Sequence, residues 1–128
     1  MEIIIFERGE YISYANCGLP YYIGDVIKER DALMLQTPEA MIAKFNVDVR
    51  IRSEVVAIDK DKKQVKVLEN GNEYNETYDN LVIATGSSPL KPSIPGIDGD
   101  GIYSLWTIPD TDKIREIVDQ KMPKTAAV

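Results

Sequence analysis

The chain has 128 residues, of which 44% are hydrophobic and 28% charged, a composition suited to one small globular domain or a piece of a larger one. A formal charge of −6 and a pI of about 4.7 argue against a nucleic-acid surface, and no window has the apolar length needed to span a bilayer. One cysteine and no histidine exclude an intrachain disulfide and a metal centre built from those ligands.

Residues 3–7 (IIIFE) are a short apolar run closing on an acid and are expected to form a buried strand. The opening residues lack the basic stretch and cleavage site of a signal peptide, so a reduced, cytoplasmic compartment is the expectation. Glycines 9, 18 and 24, with Pro20 breaking any long helix, make residues 8–24 loop-rich. Thr37-Pro38-Glu39 supplies an N-cap, a first-turn proline and a first-turn acid. Met41, Ile42 and Phe45 follow at helical spacing, which predicts a helix over 37–46. Val47, Val49 and Ile51 alternate with Asp48, Arg50 and Arg52, the period of a strand. Three further strands are predicted at 54–59, 64–69 and 73–78. A charged turn at 59–63 and an Asn70-Gly71 hairpin join them into an antiparallel β-meander. Residues 81–84 (LVIA) form a continuous apolar strand pattern running into Thr85-Gly86, and a Pro/Gly-rich stretch continues to Gly101. A last helix fits 110–121, capped by Asp110 or Thr111, with Ile114, Ile117 and Val118 on one face. Residues 125–128 have the look of another strand beginning.

Three places carry candidate chemistry. Glu7 ends the first strand, where an acid can accept hydrogen bonds from an adenosine ribose, although many strands end in a merely solvated acid. The glycine-rich turn that would cradle a pyrophosphate does not precede it. Cys17 lies in SYANCGLPYYIG. It is either a small core filler or, at a helix start flanked by Asn, Gly and Pro, a thiolate nucleophile that needs no histidine. Thr85-Gly86 is either a plain strand-to-loop turn or a site of close ligand approach, which glycine permits.

Taken together, IIIFERGEYISYANCGLPYYIG, TPE before a helix, EVVAID, YDNLVIATGSSP and IPGIDGDGIYSL resemble the FAD-domain portion of the pyridine nucleotide-disulfide oxidoreductases. The resemblance is to the coenzyme A-disulfide reductase and NADH oxidase branch, and it covers nearly the whole chain. Relatives of glutathione reductase carry two cysteines separated by four residues, whereas this chain has one. Ala15-Asn16 is more similar to coenzyme A-disulfide and persulfide reductases than to oxidases and peroxidases, which carry Leu-Ser there.

The resemblance implies an α/β fold: a partial Rossmann-like FAD-binding domain over 1–128, with parallel strands plus the antiparallel meander. The first strand with its GxGxxG turn is absent, and the chain stops where an NAD(P)-binding domain would begin. Residues 3–7 and 81–85 would then be strands 2 and 4 of the order 3-2-1-4. They are expected to pair directly, or to borrow a strand by self-association. It further implies that Glu7 binds the adenosine ribose with Arg8 beside it, that Val55 or Val56 meets the adenine through its backbone, and that Thr85 and Gly86 line the FAD pyrophosphate and ribityl region. Cys17 would lie against the flavin, and Ser13, Asn16 and Lys44 would contact coenzyme A. The cofactors implied are FAD and, in the parent enzyme, NAD(P)H. Coenzyme A would be substrate or mixed-disulfide partner, and the parent a homodimer acting on a small-molecule disulfide or persulfide. Alternatives are an oxidase or peroxidase cycling Cys17 through a sulfenic acid, and a folded fragment that binds no flavin.

Overall fold

The computed structural model describes residues 2–128. In chain order the elements are β1 (Ile4–Phe6), β2 (Ser13–Tyr14), α1 (Leu19–Ile23), β3 (Met34–Gln36), α2 (Pro38–Phe45), β4 (Asp48–Arg50), β5 (Ser53–Asp59), β6 (Gln64–Glu69), β7 (Asn72–Thr77) and α3 (Ile108–Lys121), with 3-10 turns at Asn16–Gly18 and Arg30–Leu33. The fold is mixed α/β, and the chain divides into two compact units. One comprises Met1–Ser13 and Gln36–Thr85, the other Tyr14–Leu35 and Gly86–Val128.

The first unit holds the parallel pair. Ile4, Ile5 and Phe6 of β1 lie opposite Asp48, Val49 and Arg50 of β4, and α2 is the connection that a parallel pairing requires. The Thr37 hydroxyl accepts from the Ala40 N–H and caps α2. Asn46 in the left-handed region closes it. The antiparallel sheet runs β5-β6-β7, and its β6–β7 turn places Asn70 and Gly71 at φ 50° and 82°, the two positive angles of a type I′ hairpin. Val65 and Val67 of β6 are buried. Arg50 ties β4 to β7, donating to Glu76 at 2.7 Å and to the Tyr74 hydroxyl at 3.4 Å. Its guanidinium lies over the Phe6 ring, and the bonds to Tyr74 and Glu76 hold it firmly in the charged state.

The second unit is built on α1 against α3. Leu19, Leu33, Ile108 and Thr111 are buried there. Arg115 of α3 donates to the Tyr22 carbonyl at 2.8 Å and to Asp25 at 3.2 Å, and Arg30 forms a two-pronged ion pair with Asp112 at 2.7–2.8 Å. Among the described residues, no helix is long and apolar enough to cross a membrane.

The predicted meander and the helix over 37–46 are present with shifts of a residue or two. Four expectations are corrected. Residues 81–84 form no strand: they belong to none of the three sheets, and Val82 and Ile83 are 85% and 69% exposed. Without a paired neighbour, an extended segment has no ladder to make it a strand. For the same reason residues 3–7 and 81–85 do not pair directly with one another, and among the described residues β1 pairs with β4. The cap of α3 is Thr107, with Asp110 as the returning acid of a capping box, so the helix begins at Ile108 rather than near 110. Pro20 sits in the first turn of the five-residue α1, where its missing N–H costs nothing, and as expected no long helix runs through residues 8–24. Residues 125–128 carry no regular structure.

Candidate functional site

In the first unit, β1 delivers Glu7 to its C-terminal end. The Glu7 N–H donates to the Arg50 carbonyl, and the Glu7 carbonyl accepts from Ser53 at 3.0 Å. One carboxylate oxygen, Oε1, accepts from the Gly9 N–H at 2.6 Å, which orients the side chain. Arg8 is exposed beside it. On β5, Val55 pairs with Val67 and Ala57 with Lys66, so Val56 is the extra residue of a bulge, and a bulged residue is left out of the ladder. Thr85 ends this unit, exposed. Ser13 opens β2, and Lys44 lies in the last turn of α2. There its cation offsets the partial charge of the helix C-terminus, a local role that needs no ligand.

In the second unit, Cys17 is an exposed free thiol. It sits in the 3-10 turn Asn16–Gly18, which runs directly into α1. The Ala15 N–H donates to the Leu33 carbonyl at 2.8 Å and the Gly18 N–H to the Ala15 carbonyl at 2.8 Å, so the backbone on both sides of the thiol is fixed. Gly18 and Leu19 are buried while Asn16 and Cys17 face outwards. A cavity of about 300 Å³ opens here, lined by Asn16, Cys17, Leu19, Pro20, Leu105 and Trp106. Gly86 stands at φ 68° with nothing within 4 Å of where a Cβ would be, a conformation that glycine alone adopts freely.

The structure thus places Asn16 and Cys17 on one cavity, with Gly86 in the same unit, whereas Glu7, Arg8, Val55, Val56, Thr85, Ser13 and Lys44 belong to the other unit and do not line that cavity. Leu105 and Trp106 were not among the expected site residues. The available signal was a lone tryptophan immediately before a Thr-Ile-Pro-Asp capping box, which fixes where that residue must stand.

A parallel pair with an acid at its strand end and an antiparallel meander lie in one unit, and an exposed loop thiol lies in the other, an arrangement of the mixed α/β class. The model for the pyridine nucleotide-disulphide oxidoreductases matches residues 1–128, and the chain belongs to that family. It is similar to an NADH oxidase of Methanocaldococcus jannaschii, 34% identical over 100% of this chain and 29% of the relative. It is also similar to a coenzyme A disulfide reductase of Staphylococcus haemolyticus, 38% identical over 99% of this chain and 29% of the relative. Among solved structures, reduced Bacillus anthracis CoADR-RHD superposes with a TM-score of 0.90 at 50% identity, covering 96% of this chain and 23% of that one. The chain therefore spans less than a third of the length of these relatives.

Proposed function

We propose that the chain is a partial FAD-binding domain of a flavin-dependent NAD(P)H:disulfide oxidoreductase whose redox-active group is Cys17, acting on coenzyme A disulfide or a persulfide. The observation that carries this reading is the exposed Cys17 thiol beside Asn16 on an open cavity, in a family defined by disulfide oxidoreduction. Relatives named coenzyme A disulfide reductase and coenzyme A polysulfide/persulfide reductase support the substrate class.

Residues of the first unit fit a flavin's adenosine end. Glu7 is oriented by Gly9, and Val56 carries backbone groups outside the ladder. Those residues, with Arg8 and Thr85, would hold that end of the cofactor. When bound, it supplies the electron pair that returns an oxidised Cys17 to the thiol. The protein's own step is exchange. The Cys17 thiolate attacks one sulfur of a disulfide and the old S–S bond breaks. A mixed disulfide forms on Cys17, and the second thiol leaves with its electron pair and takes a proton from solvent. Asn16, with both donor and acceptor, can orient an amide of the incoming molecule.

The test is mass spectrometry after mixing the protein with coenzyme A disulfide. One coenzyme A adduct on Cys17 and an equal release of free thiol are expected, and Cys17→Ser should give neither. An unmodified Cys17 in folded protein would overturn the reading. The NADH oxidase relative favours a second one, in which peroxide converts Cys17 to a sulfenic acid. Treating the same protein with peroxide and a sulfenic-acid trap distinguishes the two.

A further inference from the structure

We infer that Trp106, together with Leu105, is the specificity wall of the Cys17 cavity. It receives the apolar arm of the thiol that becomes disulfide-bonded to Cys17, and so favours long, neutral, amide-linked thiols over compact ones. This rests on the reading of Cys17 as a disulfide-reactive thiol.

The lining itself makes the selection. None of the six residues around the cavity is charged: Leu19, Pro20, Leu105 and Trp106 are apolar, and Asn16 and the thiol are the polar side chains. A charged group entering it would lose hydration without a countercharge, whereas an alkyl-amide arm would cover apolar surface and meet the Asn16 amide. The volume, about 300 Å³, lies at the small end for ligand sites. It suits an arm rather than a whole nucleotide-bearing thiol.

Trp106 is held for this task from both directions. The Tyr14 hydroxyl donates to its carbonyl at 3.4 Å. The next residue, Thr107, is locked by the capping box, its N–H donating to the Asp110 carboxylate at 2.8 Å. Yet the residue is 46% exposed, which leaves part of a large apolar side chain available to a ligand. Its position on the Cys17 cavity gives that exposure a use.

The experiment compares two neutral disulfides, pantethine with a long amide arm and 2-hydroxyethyl disulfide with almost none. In each, the Cys17 thiolate forms a new S–S bond as the old one breaks, and the departing thiolate is protonated by solvent. Rates of adduct formation are read by mass spectrometry. The ratio of pantethine to hydroxyethyl rates should fall about tenfold in Trp106→Ala and be largely kept in Trp106→Phe, the size expected when an aromatic side chain's apolar cover is lost. Trp106 is the protein's only tryptophan, so wild-type emission should shift to the blue when pantetheine occupies Cys17 and stay unchanged with the hydroxyethyl adduct. An unchanged ratio in Trp106→Ala overturns the inference. If that variant does not fold, emission in the wild type that ignores the pantetheine adduct overturns it instead. A Cys17 that reacts with neither disulfide sinks both this inference and the function on which it rests.

Discussion

Gly18 is constrained by space rather than by φ. It sits in the ordinary right-handed region at φ −78°. A Cβ there would nevertheless lie 3.0 Å from Leu33 Cδ2, 3.2 Å from Ala15 Cβ and 3.4 Å from Ile27 Cδ1. Leu33 is fully buried, so it has little freedom to yield. Gly18→Ala should therefore destabilise the protein by about 1–3 kcal/mol, the usual range for overpacking, measurable by urea unfolding. Unchanged stability would show that the neighbours give way freely. Asp25 is a contrasting residue, set by charge. Hydrogen bonds from Lys28 and then Arg115 hold its carboxyl below the ordinary aspartate value of 3.8. A depressed folded value contributes stability that is present above 3.8 and lost as pH falls through the folded one. The gap in urea midpoint between wild type and Asp25→Asn should accordingly be small at neutral pH, because the pair is exposed, and should close on acidification below that value. A gap that widens there would refute the assignment. In the sequence, Cys17 could be read as filler or as nucleophile. Its exposure decides only that it is not filler, and the buried neighbours Gly18 and Leu19 explain how the turn presents it.

At the scale of elements, local chemistry was legible wherever it is self-contained. Thr37-Pro38-Glu39 caps α2, and Asn70-Gly71 makes the β6–β7 turn, because caps and type I′ turns are decided by a few adjacent residues. The start of α3 was misjudged because Asp110 is itself a good N-cap. In the structure it serves as the third helical residue and returns a hydrogen bond to Thr107. Removing that cap should be costly. Thr107→Ala is expected to lose about 1 kcal/mol, since it removes the hydroxyl that accepts from the Asp110 N–H and that donates to the Asp110 carboxylate at 2.7 Å, while the backbone Thr107 N–H keeps its bond to Asp110. Circular dichroism during thermal unfolding would report it, and a melting temperature equal to wild type would show the cap to be redundant. Residues 81–84 were the opposite case. Their composition is that of a buried strand, but strand identity belongs to a pair, and no sheet contains them.

At the scale of the molecule, order is unevenly distributed, and the difference follows from pairing. In the first unit, β6 is hydrogen-bonded on both sides, by β5 and by β7, and buries Val65 and Val67. Residues 81–95 of the chain, by contrast, carry no helix or strand and are exposed throughout. Opening free energy should track that contrast, because amides exchange through local opening where buried contacts and ladders are few. The candidate site was legible to the extent that it lies in a short contiguous segment, residues 13–22. Leu105 and Trp106 could not be found there, since they approach Cys17 only after some ninety residues of chain have returned. Native-state hydrogen exchange provides the final test. The amides of Val65, Lys66 and Val67 should be among the slowest in the first unit. Those of Val82, Ile83 and Ala84 should exchange at close to the unprotected rate. Protection across 82–84 equal to that of β6 would mean that this apolar segment is paired after all, and the account of why it forms no strand would have to be abandoned.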